Sequence, residues 1–435
     1  MNNFNHLKKQ LNSCIKVISN SRSLFVENPK SDFIRNRKLD FIAVIKSIIC
    51  METGSIKDEL LKLNDYSLDT PTSSAFVQAR DKIKVDAFRS VFNIFNKRTS
   101  KLKTYKGYRL LAIDGSEEPI DNTFLDKDTS VFDKTGTFLY SAYHLNASYD
   151  LLECTYDDIL IQGEAVMNEN AAFNKLVDRY KGAKAIFIAD RYYESYNNFE
   201  HVVHSGNKYL IRVRDITSKK CMTQTLGPYP DTDEFDIDVS KILTRKQTNE
   251  VKNHPETYRF LSNRSSFDYT DKENPFYNFK CRIVRFKITD DSYECIITNL
   301  DRNIFPLEEI KELYNKRWGI ETSFRQIKYA IGLHALHSKK RKSIQQEIYA
   351  RLVLYNLCQR AVQEIKIPQK KRKYMVQINF TRASHIIRKF LNKRTGGSPP
   401  VESLIAKEIL PIRPGRTNAR YVSAKKVVCF NYRFD

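Results

Sequence analysis

The sequence predicts an α/β protein whose core of strands and helices carries a β-rich insertion and lies between helical N- and C-terminal domains. Three observations predict this arrangement. Helical spacing of apolar residues runs through residues 1–100, strand-like runs ending on aspartate occupy residues 107–190, and a charged amphipathic helix is indicated over residues 314–328. A chain of 435 residues can bury several cores, so we expect about two to four structural units.

Residues 1–100 are predicted to form a helical DNA-binding domain. Residues 70–73 supply capping oxygens for a short helix over residues 74–84. A short helix that follows a turn is typical of DNA recognition. Exposed Ser74 and Gln78 near its start could read base edges, although small polar side chains at such positions are more often only solvated.

Residues 101–206 are predicted to form the first part of an enzymatic core. A buried-strand run over residues 107–113 stops at Asp114, and after two further strands and a helix another such run stops at Asp190. An acid at the end of a central strand is well placed for catalysis, whereas an Asp-Gly dipeptide in isolation is more often a turn. This order of elements is that of the ribonuclease-H-like fold, in which the first and fourth strands are neighbours. Such a fold would bring both aspartates together, as two-metal phosphoryl transfer requires.

Residues 207–300 are predicted to be a β-rich insertion, because the chain after Asp190 is far longer than the core fold needs. Strand patterns over residues 208–213, 281–289 and 293–299 alternate with polar loops that carry aromatic residues. The insertion would therefore lie immediately before the charged helix.

Residues 301–366 are predicted to complete the core with a helix that has two faces. Residues three, four and seven apart share a helix face, so one polar stripe is formed by Tyr314, Arg317, Glu321, Arg325 and Lys328. The apolar stripe beside it consists of Ile320, Phe324, Ile327 and Ile331. An ordinary solvated face is the simpler interpretation, but it leaves a lone acid and a tyrosine in a basic row unexplained. The alternative is that the acid is a metal ligand among side chains that hold a polyanion.

Residues 367–435 are predicted to form a basic C-terminal tail that binds DNA or a second protomer. A long helix is predicted over residues 343–365 and another over residues 376–391, with a basic run at residues 370–373 between them. His334 and His337 could chelate a metal, but without an acid or a cysteine at ligand spacing we expect them to be solvated or to face DNA.

The charge distribution points to an acidic partner. The net charge is +22, with +7 in residues 1–100 and +19 in residues 321–435, which leaves −4 for the middle of the chain. Basic ends around a mildly acidic centre fit a metal-bearing body with arms that grip a polyanion. No apolar leader or membrane span is indicated, so we expect a cytoplasmic protein, associated with the nucleoid when bound to DNA. The eight cysteines include no C-x2-C pair, and neither a zinc site nor a disulfide framework is predicted.

The charged helix also resembles the signature of an enzyme family. The spacing Y-x2-R-x3-E-x6-K, with Arg-Trp-x-Ile-Glu at its centre, is formed by Tyr314, Arg317, Glu321 and Lys328. Four fixed positions within fifteen residues make the match specific, and roughly residues 35–330 resemble DDE transposases of the insertion-sequence-four family. The resemblance implies a ribonuclease-H-like catalytic domain with a β-rich insertion, flanked by helical N- and C-terminal domains.

The resemblance further implies a cut-and-paste DNA transposase that cleaves transposon ends and joins them to target DNA. The catalytic and metal-binding residues, which would hold two Mg²⁺ ions with Mn²⁺ as a substitute, would be Asp114, Asp190 and Glu321. The implied DNA contacts are Tyr314, Arg317 and Lys328. The expected partners are double-stranded DNA, as terminal inverted repeats and as target, and a second copy of the chain in a homodimer.

The residues after the second aspartate depart from the pattern of relatives. Relatives often follow the second aspartate with Arg-Gly-Tyr, whereas this chain has Arg191, Tyr192 and Tyr193, a change that affects the local turn and none of the ligands. In some relatives an aromatic residue of the insertion receives a flipped base, and Tyr293 is the candidate here, since Trp318 is expected to pack.

The alternatives are a DNA nuclease that does not join strands and a non-catalytic DNA-binding protein derived from a transposase.

Overall fold

The N-terminal part of the chain forms helices, as its apolar spacing predicts. A computed structural model describes residues 3–35, 37–219, 221–290, 292–367, 372–392 and 401–413. The N-terminal helices are α1 (Asn3–Asn20), α2 (Phe41–Cys50), α3 (Ile56–Leu63), α4 (Ser73–Asp81) and α5 (Val85–Thr99). Side-chain oxygens of Asp40, Ser55 and Thr72 cap α2, α3 and α4 by accepting hydrogen bonds from backbone N–H groups. The predicted cap before the candidate recognition helix is therefore confirmed, at Thr72.

Within the described residues, ten strands form one mixed sheet. They are β1 (Arg109–Pro119), β2 (Ser130–Phe132), β3 (Phe138–Asp150), β4 (Thr155–Gly163), β5 (Ala185–Ala189), β6 (Lys208–Val213), β7 (Phe235–Thr244), β8 (Tyr258–Phe260), β9 (Phe276–Thr289) and β10 (Ser292–Thr298). Their spatial order is β2, β3, β1, β5, β6, β10, β9, β7 and β8, and β4 also pairs with β3. The strand that carries Asp114 thus lies between β3 and β5.

The neighbours of β1 position the candidate site. β1 is antiparallel to β3 and parallel to β5, which confirms the predicted adjacency of the two strands that precede the aspartates. The parallel pairing ends with Ile113 opposite Ala189. β1 itself continues to Pro119, so the prediction that the strand stops at Asp114 is wrong. It continues because β3 still supplies hydrogen-bonding partners after β5 has ended.

The predicted insertion continues the sheet. β6 pairs in parallel with β5, β10 joins β6 in the antiparallel direction, and β9, β7 and β8 follow. A short helix, α8 (Asn249–Asn253), connects β7 to β8. A domain division at residue 207 therefore falls between two hydrogen-bonded parallel strands.

Helices cover both faces of the sheet. One face of β1 packs on α6 (Glu169–Arg179) and α7 (Tyr196–His204). The other face packs beneath α9 (Leu307–Lys316), α10 (Trp318–Arg325) and α11 (Arg341–Gln363). Helices α1, α2 and α5 bury their apolar residues in the same cluster as α10 and α11. The N-terminal helices and the C-terminal half of the chain thus share one hydrophobic core.

The chain after α11 forms a short hairpin and two helices. β11 (Val376–Ile378) pairs with β12 (Ile409–Pro411), while α12 (Phe380–Asn392) and α13 (Val401–Ile405) lie between them in sequence. The helix predicted over residues 376–391 therefore begins only at Phe380, because residues 376–378 form a strand that pairs with β12. Residues 368–371, 393–400 and those after 413, which belong to the predicted basic tail, lie outside the described residues. No helix in the described part of the chain has the length and apolarity that a membrane span needs.

A buried ion pair joins α4 to α11. Arg80 Nη1 lies 2.7 Å from Glu347 Oε1, and each side chain is only 2% exposed. Arg80 also donates to the Gln346 side chain and to the carbonyl of Ser343, while the second Glu347 oxygen accepts from the backbone N–H of His337. Although burial opposes ionisation, Arg80 and His337 hold the pKa of Glu347 well below its usual range.

Replacing Arg80 with Met should lower the free energy of unfolding by about 3–5 kcal/mol, because Glu347 would remain buried without its main partner. Urea unfolding at pH 7 measures this loss. Lys38→Met is the control, since Lys38 and Asp69 form an exposed pair 2.9 Å long, and because solvent screens this pair its loss should change the free energy of unfolding far less. Equal losses in the two variants would contradict the role assigned to Arg80.

Candidate functional site

Two aspartates lie side by side at the centre of the sheet. Since β1 and β5 pair as far as Ile113 and Ala189, the next residue on each strand is an acid, Asp114 on one and Asp190 on the other. Parallel strands in register place such residues next to each other. The structure therefore brings together two of the three acids that the sequence singles out.

The local backbone orients both carboxylates. The N–H of Gly115 donates to Asp114 Oδ1 at 2.9 Å, and the N–H of Tyr192 donates to Asp190 Oδ1 at 2.9 Å. The second bond caps a 3-10 turn, Arg191–Tyr193, whose last residue is buried. The turn formed by the Arg-Tyr-Tyr sequence thus orients the carboxylate of Asp190.

The helix predicted over residues 314–328 is not continuous. α9 and α10 meet at Arg317, and a π-helical turn, Gln326–Ala330, follows α10. The N–H of Arg317 bonds to the carbonyl of Tyr314 at 3.0 Å, a tighter spacing than the α-helical one. The predicted apolar stripe is confirmed by the burial of Ile320, Phe324, Ile327 and Ile331. Glu321 projects from α10, between the junction and the π-helical turn.

A glycine in the signature allows α10 to approach the sheet. A Cβ atom at Gly319 would meet Leu151 Cδ2 at 3.0 Å. One turn further on, Ser323 Oγ donates to the hydroxyl of Tyr156 at 3.0 Å. The missing side chain at Gly319 therefore lets α10 lie close to the hairpin of β3 and β4, and the Ser323 hydrogen bond joins the two.

The guanidinium of Arg317 joins two of the acids. Its Nη2 lies 2.8 Å from Glu321 Oε1, and its Nη1 lies 3.6 Å from Asp114 Oδ2. The Arg317 side chain is 6% exposed, whereas that of Glu321 is 30% exposed. Burial raises the pKa of Asp114 to about 7, and the negative charge of Asp190 adds to this rise. Glu321 acts in the same direction, so all three acids form one electrostatic cluster.

Carboxylate oxygens are ligands that suit Mg²⁺ and Mn²⁺. Burial and the charges of Asp190 and Glu321 raise the pKa of Asp114, and a bound divalent cation would favour its charged form. Across the described ranges, no three His, Cys, Asp or Glu side chains already converge as a ligand cluster, and Arg317 lies between Asp114 and Glu321. The donor set therefore fits a divalent cation, provided that Arg317 releases a carboxylate.

The aromatic side chains near the signature differ in exposure. Tyr314 is buried, and its hydroxyl has no hydrogen-bond partner among the described residues. Trp318 is 50% exposed, so the expectation that it packs is wrong, and its ring lies 4.8 Å from the Arg317 guanidinium. The ring of Tyr293, the predicted base platform, lies 3.9 Å from the guanidinium of Arg285, which covers one of its faces.

The two histidines after the signature both contact buried glutamates. His334 Nδ1 lies 2.8 Å from Glu118 Oε1, and His337 Nδ1 lies 3.1 Å from Glu347 Oε2. The expectation that the imidazoles are solvated or face DNA is therefore wrong for His337, whose side chain is 2% exposed, whereas that of His334 is 36% exposed. Their acidic partners lie on β1 and α11, and spacing along the sequence does not reveal such contacts.

A second charged cluster, which the sequence did not predict, lies behind Gly115. His144 lies between Glu164, at 3.0 Å, and Glu169, at 2.6 Å. Although burial opposes the charge, these hydrogen bonds raise the pKa of His144 to about 9. A side chain at position 115 would collide with His144 and Glu169. The glycine directly after Asp114 is the sequence signal that could have indicated this crowding.

Comparisons with known proteins agree with the signature. A family model described as "Transposase DDE domain" matches residues 105–357, more than half of the chain, and this range contains all three acids. "Transposase InsG for insertion sequence element IS4" from Escherichia coli (strain K12) is 33% identical over 98 residues, which is 22% of this chain and 22% of that protein. The aligned part is thus less than a quarter of that relative.

One solved structure is similar over most of the chain. It is the cryo-EM structure of the piggyBac transposase synaptic complex with hairpin DNA. The TM-score is 0.44 at 11% sequence identity, and the alignment covers 94% of this chain and 84% of that chain.

Replacing Asp114 with Asn should stabilise the metal-free protein at alkaline pH. The folded-state pKa of about 7 lies above the ordinary value of 3.8, so the wild-type protein loses stability as the pH rises between these values. The full penalty, on the order of 1–4 kcal/mol, applies above pH 7, and the Asn variant avoids it. Urea unfolding in EDTA at pH 4 and pH 8.5 measures the difference. An equal gain at both pH values would show that ionisation of Asp114 is not the cause.

Proposed function

The chain belongs to the family of DDE transposases, and we propose that it is a cut-and-paste DNA transposase with Asp114, Asp190 and Glu321 as its catalytic acids. One observation carries the proposal. The register of β1 and β5 makes the two aspartates neighbours, and Arg317 pairs with both Asp114 and Glu321. These contacts between acids from three separate parts of the chain support the proposal.

We assign a ribonuclease-H-like architecture to the part of the sheet that carries these acids. The order β4, β3, β1, β5, β6 supports this assignment, since β4, β3 and β1 are antiparallel and β1, β5 and β6 are parallel. Acids that follow paired parallel strands lie at one edge, where substrates of α/β proteins bind.

The proposed cofactor is a pair of Mg²⁺ ions, or Mn²⁺, which when bound would activate the attacking oxygen and stabilise the leaving oxygen at phosphorus. The contribution of the protein is positioning. Asp114 and Asp190 present oxygens that backbone N–H groups already orient. Glu321 extends from α10, which lies close to the sheet because Gly319 has no side chain and because Ser323 bonds to Tyr156. Ligands on rigid elements keep the precise geometry that such a displacement needs.

Arg317 and Lys328 are the proposed DNA contacts of the signature. The planar guanidinium of Arg317 can bind a phosphate through two N–H groups once it leaves the carboxylates. Lys328 would act as a point charge in the π-helical turn beyond Glu321. Tyr314 is buried, and its ring centroid lies 5.8 Å from the Arg317 guanidinium. We propose that this ring supports the guanidinium and does not itself contact DNA.

Double-stranded DNA is the proposed partner, as terminal inverted repeats and as target, with a homodimer acting in the complex. The net charge of +22 favours a polyanion. Helix α4 exposes Ser74 and Gln78, whose side chains bond to each other at 3.3 Å. We therefore propose the α4 surface as a DNA-binding face and assign no base contact to either side chain.

Removing any one of the three acids should abolish strand cleavage and leave DNA binding intact, because each substitution removes a proposed cation ligand. The variants are Asp114→Ala, Asp190→Ala and Glu321→Ala. Cleavage of DNA that carries the element's own ends, with and without Mg²⁺, measures the effect. Asp86→Ala, which removes an exposed carboxylate from α5, is the control. Cleavage near the wild-type rate by an Ala variant would show that the assignment of that residue is wrong.

The same reaction separates the proposed function from its alternatives. With pre-cut ends and a target plasmid, a transposase yields joined product, whereas a nuclease yields only cut ends. A wild-type protein that binds the ends but does not cut them with Mg²⁺ or Mn²⁺ would instead be a non-catalytic DNA-binding protein.

Arg317→Ala should slow cleavage by about one to two decades, because a lost hydrogen bond to a charged group costs roughly 1.5–3 kcal/mol. First-strand nicking and later double-strand release should be measured separately. Arg325→Ala is the matched control, since it removes an exposed arginine from the end of α10, the helix that follows Arg317. Wild-type rates for Arg317→Ala in both steps would refute the contact, and equal slowing in both variants would indicate a general charge effect.

A further inference from the structure

A carboxylate that the proposed mechanism does not use lies four residues after Asp114 on β1. Glu118 is 0% exposed. Because side chains alternate along a strand, Glu118 and Asp114 point to the same face of the sheet. A buried carboxylate is costly without compensating partners, so the groups that pair with Glu118 are informative.

Two side chains from the segment that follows the Glu321 helix contact Glu118. His334 Nδ1 lies 2.8 Å from Glu118 Oε1, and Lys328 Nζ lies 4.0 Å from Glu118 Oε2. Lys328 Nζ also donates to the carbonyl of Glu117 at 2.5 Å, and its side chain is 16% exposed. Lys328 is thus held against β1 by one hydrogen bond and one ion pair.

The chain after Glu321 follows an irregular helical path, so its contacts with β1 bear on the position of α10. Lys328 lies in the π-helical turn, and Gly332, with a φ of 80°, ends that turn before His334. The chain therefore changes its helical path twice within a few residues. Contacts from this segment to β1 fix the C-terminal end of α10 to the strand that carries Asp114.

We infer that Glu118 is a positioning residue, which fixes Glu321 relative to Asp114 through Lys328 and His334. This inference rests on the proposed function, and it deepens that function by giving Lys328 a part inside the protein. β1 holds Asp114 and Glu118 at a constant separation, and the residues that Glu118 binds follow the Glu321 helix directly. Without this tie α10 can shift on the sheet, and the proposed cation ligands lose their geometry.

Mn²⁺ binding to the DNA-free protein, followed by EPR titration, tests the inference without relying on cleavage. Glu118→Gln and Lys328→Met should both weaken binding, by about tenfold, the lower end of the range for groups that orient metal ligands. Electrostatics alone predicts opposite signs, because losing a carboxylate weakens cation binding whereas losing an ammonium strengthens it. Weaker binding in both variants therefore identifies positioning.

Asp150→Asn is the matched control. Asp150 is also fully buried, and it pairs with Arg109 at 2.8 Å near the opposite end of β1. Its loss should lower the melting temperature and leave Mn²⁺ binding unchanged. Melting curves establish that each variant is folded, and Lys328→Met carries the test if Glu118→Gln does not fold.

The possible outcomes separate this inference from the proposed function. Tighter Mn²⁺ binding by Lys328→Met, unchanged binding by Glu118→Gln, or equal weakening by Asp150→Asn would overturn the role of Glu118. A wild-type protein that does not bind Mn²⁺ would overturn it as well. A wild-type protein that binds Mn²⁺ but cleaves no end DNA would instead refute the transposase proposal, and the comparison of variants would still decide the role of Glu118.

Discussion

The parallel pairing of β1 with β5 is the constraint on which the candidate site depends. Its last pair, Ile113 and Ala189, leaves an aspartate as the next residue on each strand. A slip of one residue would turn one carboxylate to the other face of the sheet. Two like charges at a largely buried position demand compensation, and the raised pKa of Asp114 reflects that demand. Arg317, at the junction between α9 and α10, supplies part of this compensation, because its guanidinium lies 3.6 Å from the Asp114 carboxylate.

Buried charge also fixes the helices around the site. The Glu347 carboxylate binds Arg80 of α4 on one side and the backbone N–H of His337 on the other. The loop that follows the signature is therefore tied to the candidate DNA-binding helix through one side chain of α11. Since a buried ion pair is favourable only in good geometry, α4 has little freedom relative to the core. The N-terminal helices share their hydrophobic core with α10 and α11, which has the same consequence.

Local sequence signals predicted the secondary-structure elements and the candidate acids. Contacts between distant parts of the sequence determine where strands end and which side chains are buried, and these were not predicted. The apolar stripe, the cap at Thr72 and the strand runs before Asp114 and Asp190 depend on periodicity and capping, which a short segment reveals. The extension of β1 depends on β3, and the burial of His337 depends on Glu347 and Arg80. Arg317, where the signature helix is divided, contacts Asp114, about two hundred residues earlier. No periodicity within residues 314–328 indicates that contact.

The balance of charge at the site bears on how the proposed substrate could approach it. The one guanidinium of Arg317 pairs with two of the three carboxylates, Asp114 and Glu321, and the charge of Lys328 is largely offset by Glu118. This local surplus of negative charge repels a phosphate, although the chain as a whole carries +22. Attraction for DNA must then come from the basic ends of the sequence, while the centre favours cations. Cation binding would neutralise the carboxylates and free Arg317 to face a phosphate, so metal and DNA should bind this site more tightly together than separately.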